Sequence, residues 1–205
     1  AMELDYSKSK IVFNRELSNL DELVLQFCGI LHRLDIKYVI ISGYIAILFG
    51  RSRNTEDVDL FIERIDEKKM VEWWNELGKE GFECINVSTP GEVLDYLNDH
   101  TSIRFAEAGK IRPNFEVKFP WTKYNHYSIN HPVAVEVMGR HLITSEIELQ
   151  IAFKLYLGSE KDFEDAKHLY VVFKEQLDHN LLHYHITELN VMRQAERILY
   201  ATRAP

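Results

Sequence analysis

The chain has 205 residues, 46% hydrophobic and 12% aromatic, which is enough apolar material for one compact core and excludes a disordered or fibrous chain. A formal net charge of -8 and a pI of about 5.6 exclude a broad electrostatic grip on nucleic acid, which works by neutralising phosphates with Lys and Arg, so such a partner would need a local basic patch. No apolar run reaches membrane-spanning length and no charged-then-apolar leader is present, so no membrane partner and a cytoplasmic location are expected. Cys28 and Cys84 are far apart in apolar surroundings and read as reduced core thiols. Ala1-Met2 reads as an expression remnant.

In chain order, Leu20, Leu23, Val24, Phe27, Ile30, Leu31 and Leu34 recur at helical spacing behind a Ser/Asn capping region. The short β-branched run Tyr38 to Ser42 reads as a buried strand stopping at Gly43, and Tyr44 to Phe49 as a short helix. In Asp57-Val58-Asp59-Leu60-Phe61-Ile62 acid and apolar residues alternate at strand period. A helix follows Asp66 through Met70, Trp73, Trp74 and Leu77, then a strand near 82–87, a helix over 90–98, and strands over 102–106 and 114–119 around a Gly109/Pro113 turn. Val133 to Val137 and His141 to Ile143 flank a Met138-Gly139-Arg140 turn, and Ser145 with Glu148 makes a capping-box signature for a helix to Leu157. Lys161 to Gln176 and Leu181 to Ala201 are read as two further helices. The expected fold class is α+β: a small mixed sheet flanked by helices, as a core over 1–143, with a C-terminal helical segment over 144–205 packed on it.

Two acids two apart on a strand leave the same face, so Asp57 and Asp59 can share a metal, although a solvated strand edge shows the same pattern. Ser42-Gly43, where strand turns to helix, offers a hydroxyl and unpaired backbone N–H groups to a phosphate; read blandly it is a cap and a tight turn. In Asn114 to Phe119 the alternation sends Phe115, Val117 and Phe119 to the core and puts Glu116 and Lys118 together on the other face.

Tyr38 to Ile62, YVIISGYIAILFGRSRNTEDVDLFI, resembles the signature of the nucleotidyltransferase superfamily, in particular its minimal and AbiEii-type abortive-infection members. In that family a hydrophobic strand ends in Gly-Gly or Gly-Ser, and an Arg-x-Thr-x-Asp-hydrophobic-Asp stretch carries metal ligands; here Ser42-Gly43 and Arg53 to Asp59, including Thr55, take those places. The turn departs from the pattern in reading Ser-Gly. The resemblance implies a third carboxylate, best matched by Glu116, with a surface ion pair as the alternative. It resumes over Glu146 to Leu169, where Lys154, Lys161 and Asp162 match residues that help to position nucleotide or acceptor, while Lys161 and Asp165 are also spaced for an ordinary i,i+4 ion pair.

The resemblance thus implies an enzyme that moves a nucleoside monophosphate from a nucleoside triphosphate such as ATP to a hydroxyl of RNA, protein or a small molecule, with Mg²⁺ or Mn²⁺ on Asp57, Asp59 and Glu116. It brings in a toxin-antitoxin or phage-defence role, with an antitoxin or a second copy of the chain as partner. The alternative is a catalytically inactive module that binds nucleotide or a partner. Arg51, Arg53, Arg104, Lys110, Arg112, Lys118 and Lys123 flank the acidic strand as a candidate positive rim. Trp121 and Tyr124 suit base stacking but are read first as core, and His179 and His183 lack a third zinc ligand in register.

Overall fold

The computed structural model describes residues 4–7 and 9–201; Ala1 and Met2 lie outside them. In chain order the elements are β1 (Leu4–Ser7), β2 (Lys10–Phe13), α1 (Asn19–Arg33), β3 (Tyr38–Ile41), α2 (Gly43–Leu48), β4 (Asp57–Ile62), α3 (Glu67–Lys79), β5 (Phe82–Cys84), α4 (Pro90–Asn98), β6 (Ile103–Glu107), β7 (Asn114–Lys118), α5 (Lys123–Asn130), β8 (Pro132–Val137), β9 (Arg140–Ser145), α6 (Ile147–Leu157), α7 (Glu160–Phe173), α8 (His179–Glu188) and α9 (Met192–Ile198). The strands form one mixed sheet in the order β1-β2-β8-β9-β3-β4-β7-β6-β5. Strand β4 lies centrally, antiparallel to β3 and parallel to β7.

Period-two alternation gives β4 and β7 one apolar face. Val58, Leu60, Phe115 and Val117 are buried there, under α1 and α3, whose starts are set by side-chain caps from Ser18 and Asp66. Phe27 of α1 stacks on Phe115 with 3.9 Å between ring centroids, and Phe82, Phe105 and Trp73 close the aromatic cluster edge-on or tilted. The other face carries Asp59, Phe61 and Lys118 towards α5 and α6. Helix α6 is buried nearly all round, including Glu148, Gln150 and Lys154, because α7 and α8 pack on its far side.

Four sequence expectations change. The Ser145/Glu148 capping box does not form: pairing with Pro132 keeps Ser145 in β9, Glu146 takes the cap position without a side-chain bond, and Glu148 accepts instead from the Tyr6 hydroxyl at 2.8 Å and the Asp178 amide at 2.9 Å. The helix expected over Leu181 to Ala201 is broken into α8 and α9 by Asn190, which takes the left-handed conformation at φ 55° that Asn tolerates better than most residues. Arg140 belongs to β9 and pairs with Val137 across a two-residue Met138-Gly139 turn with both φ angles positive. Finally β1, β2 and α5 join elements that apolar periodicity suggested nowhere: the first two are four residues each, and α5 presents only Ser128 as a buried residue. No helix among the described residues is long and apolar enough to cross a membrane. Cys28 is buried and Cys84 half-buried, both free.

Candidate active site

Strand pairing assembles the site. Ile41 lies opposite Asp59 across β3 and β4, which brings the Ser42-Gly43 corner beside the acidic strand; on the other side Asp57 pairs with Asn114 and Asp59 with Glu116. Asp59 opens into a cleft of 580 Å³ that is also lined by Ser42, Lys118, Gln150 and Lys154, with Trp121, Tyr124, Phe153 and Tyr156 towards its outer part.

Neither Asp57 nor Asp59 has a basic side chain within ion-pair distance among the described residues. Burial, and then the charge of Glu116, push the Asp59 carboxyl up to about 6, with Lys118 pulling the other way. That is an excess of negative charge in a poorly solvated place, which a divalent cation relieves. Asp57 is oriented through its neighbours: Asn114 Nδ2 donates to its Oδ1 at 2.8 Å and the Thr55 hydroxyl donates to its backbone carbonyl at 2.8 Å. Glu116 shares the face of Asp59 as its alternation required, but Lys118 holds it at 2.8 Å and Arg104 at 3.4 Å. Against the upward push of its burial these cations keep its carboxyl below the usual range. Among the described residues no three His, Cys, Asp or Glu side chains gather as a metal-holding group; Asp57 and Asp59 share one face of β4 and are hard oxygen donors suited to a cation whose other ligands are phosphate and water oxygens, although only Asp59 of the two lines the cleft. His179 has no such group around it and instead bonds the Lys174 carbonyl at 2.9 Å.

The Ser-Gly corner differs from a plain phosphate cradle. Ser42 sits at φ 66°, its hydroxyl makes no cap bond, and its amide donates to Gln150 Oε1 at 3.1 Å. Gly43 is where the guanidinium of Arg53 lies against backbone: a Cβ there would overlap Arg53 Nη2. Gly43→Ala is therefore expected to destabilise by about 2 kcal/mol through overpacking, read by urea unfolding. Gly29→Ala, whose added Cβ meets only the tip of Arg33 at 4.0 Å, should cost nothing.

Arg53 is turned away from the acids. Its Nη2 donates to Asp165 at 3.0 Å, and Arg53 and Thr55 line a separate open groove of 1090 Å³ that contains neither Asp57 nor Asp59. Lys154 lies in the Asp59 cleft, its ammonium held by Asp162 at 2.9 Å and Asp165 at 3.0 Å. The expected Lys161–Asp165 pair does not form, because Asp165 is fully buried and takes Arg51, Arg53 and Lys154 instead; the part of Lys161 that is used is its carbonyl, which accepts from Arg51 at 3.2 Å. The positive rim is also corrected. Arg51, Arg53, Arg104, Lys110, Arg112, Lys118 and Lys123 each have a carboxylate partner, so the rim is mixed in charge rather than uniformly positive. Trp121 is 59% exposed and Tyr124 partly buried at the cleft, so the core reading of Trp121 fails. Sequence reasoning missed Gln150, Asn114 and the role of Asp165; only Asp165 left a signal, in its i,i+4 spacing from Lys161.

No protein-family model and no curated protein matches the chain, but solved structures do. An antigenic nucleotidyltransferase-like protein from Paracoccidioides brasiliensis is 19% identical, with 88% of this chain and 92% of that one covered and a TM-score of 0.52. ANT(2")-Ia, in complex with adenylyl-2"-tobramycin, is 12% identical over 84% of this chain and 98% of its own, with a TM-score of 0.55. The chain has the nucleotidyltransferase fold. The lincosamide antibiotic adenylyltransferase LnuA, lincomycin-bound, shares it at 12% identity, over 77% of this chain and 99% of its own, with a TM-score of 0.51. At these identities the likeness is one of architecture, and within that architecture the activity has to be argued from the side chains of the cleft.

Proposed function

We propose that this protein is a nucleotidyltransferase that moves a nucleoside monophosphate from a nucleoside triphosphate to an acceptor hydroxyl, with Asp57 and Asp59 holding Mg²⁺ or Mn²⁺. The observation that carries the reading is Asp59 itself: a carboxyl pushed up to about 6, without a basic partner, in a cleft that also contains Lys118 and Lys154. When bound, the cation would supply charge stabilisation to the phosphoryl oxygens. Lys118 and Lys154 would steady the triphosphate, Ser42 would offer its hydroxyl, and Glu116, beside Asp59 on β7, would complete the acidic face; Arg53, Thr55, Lys161 and Asp162 act through the scaffold. On this reading the core over 1–143 carries the acids and the segment over 144–205 contributes Gln150 and Lys154 to the same cleft. The test is transfer of label from each of four α-labelled triphosphates into tRNA, protein and small hydroxyl compounds in the presence of Mg²⁺. Label in no acceptor, with triphosphate bound, would leave the binding module.

That second reading is favoured by one feature, the tie of Glu116 to Lys118 and Arg104, which keeps the third acid from acting as a free ligand. Triphosphate and Mg²⁺ binding without turnover is its signature. A toxin or phage-defence role rests on the likeness of the Tyr38 to Ile62 stretch to the AbiEii-type proteins, and co-purification with a neutralising partner would support it.

Metal binding must displace the proton from Asp59. Mg²⁺ affinity, measured by calorimetry, is therefore expected to be flat above about pH 6 and to fall by about tenfold per unit below it. An affinity unchanged down to pH 4.5 would remove Asp59 from the ligand set.

A further inference from the structure

Resting on the transferase reading, we infer that the acceptor is a small flat aromatic hydroxyl compound that stacks on Trp121 at the β7 side of the cleft. Trp121 follows β7 and is 59% exposed. One face of its indole lies on the His100 ring, with 4.9 Å between centroids and 22° between planes, so the ring is backed on one side and open on the other. Tyr156 and Leu157, 57% and 50% exposed, line the same cleft. Large apolar groups exposed together around a concave site mark a contact surface, and an indole supported from behind is suited to receive another π system.

Sheet order decides which ring arrives there. The strands run β3-β4-β7, so the acids of β4 lie between the Ser42 corner that ends β3 and the Lys118 to Trp121 segment that ends β7. In an in-line phosphoryl transfer the entering hydroxyl and the leaving pyrophosphate lie on opposite sides of phosphorus. With pyrophosphate towards Ser42, the hydroxyl enters from the Trp121 side: its oxygen bonds to the α-phosphorus, the bond from the α-phosphorus to its bridging oxygen breaks, pyrophosphate leaves with that electron pair, and the hydroxyl proton passes to solvent or a nearby carboxylate.

Charge is close to balanced along the cleft wall: its three lysines, Lys118, Lys123 and Lys154, are each paired with a carboxylate, which leaves Asp59 as the lining charge without an ion-pair partner. A polycationic amino sugar would find that one acid and no second. A polynucleotide would find the surrounding basic side chains paired and the chain at net -8, so phosphate steering is weak as well.

The test uses the full chain. Of three tryptophans, Trp73 is fully buried and Trp74 half-buried, so Trp121 dominates collisional contact with an added ring. Binding of ATP with Mg²⁺ is first measured by calorimetry; no binding would overturn both the transferase reading and this proposal. With ATP bound, p-nitrophenol, 7-hydroxycoumarin and 3-hydroxybenzoate are expected to quench tryptophan emission and to accept label from α-labelled ATP, while kanamycin and tRNA do neither. Trp121→Ala should abolish the quench and raise the acceptor KM by about tenfold, with ATP affinity changed by less than about twofold. Three results would overturn the acceptor assignment alone: quenching by ATP itself that Trp121→Ala removes, which would make the stacked ring the nucleobase; label in kanamycin or tRNA in place of the flat compounds; or ATP bound with no quench by any of the three.

Discussion

Replacing Asp59 with Asn is expected to abolish nucleotide transfer, by on the order of a thousandfold or more, and yet to give a protein that melts higher than the parent when both are metal-free at neutral pH. Both effects come from one carboxyl. In the folded chain burial and Glu116 raise it from the ordinary 3.8 to about 6, so the fold holds this proton more tightly than the unfolded chain does. The stability this contributes is complete below about pH 4 and is lost as pH rises through 6; at pH 7 the buried charge is a cost, on the order of 3 kcal/mol. Asparagine carries no charge and removes that cost, together with a metal ligand. Differential scanning fluorimetry with and without Mg²⁺ reads both effects: Mg²⁺ should raise the melting temperature of the parent and leave the variant unmoved. A variant that still transfers label at the parental rate would take Asp59 out of the chemistry.

Strand alternation is a local rule, so the sequence alone put Asp57 and Asp59 on one face against Val58 and Leu60, and Glu116 with Lys118 against Phe115; that Glu116 joins the two aspartates was implied only by the family resemblance. The nine-stranded order was not legible, since pairing β2 with β8 joins segments more than a hundred residues apart and leaves no mark in either. Ser42-Gly43 was visible as a corner, but the groups that pack on it were not. What fills the space over Gly43 is the Arg53 guanidinium, and what takes the Ser42 amide is Gln150 from α6; both are decided by tertiary packing. The charged residues were misjudged for the same reason. Seven basic side chains near the acidic strand look like a rim when only their positions along the chain are known. Their carboxylate partners come largely from distant segments, as Arg51 with Glu164 and Lys123 with Glu188 show.

Asp165→Ala is the substitution expected to cost the fold most among the charged residues. Its carboxylate is fully buried and is shared by Arg51, Arg53 and Lys154, whose side chains are only 15%, 10% and 4% exposed. Taking away the one acid leaves three cations close together in a poorly solvated place, a loss of about 3–5 kcal/mol when a buried pair is broken from one side, or roughly 10 °C in melting temperature for a chain of this size. The network ties the connection before β4 to α6 and α7, so its loss also frees Arg53 from its seat over Gly43 and leaves Lys154 held by Asp162 alone. Lys161→Ala separates this account from the i,i+4 pair that the spacing suggested: it should change stability by less than about 0.5 kcal/mol, whereas a true Lys161–Asp165 pair would make the two variants non-additive. Arg53→Ala supplies the complementary cycle. If Arg53 acts through Asp165, removing it in the Asp165→Ala background should be far less damaging than in the parent and should relieve part of the loss, because the fewer cations left around the vacated carboxylate position, the weaker their mutual repulsion. Full additivity of Arg53→Ala and Asp165→Ala in urea unfolding would mean that the two are not coupled, and that Arg53 does not act through Asp165.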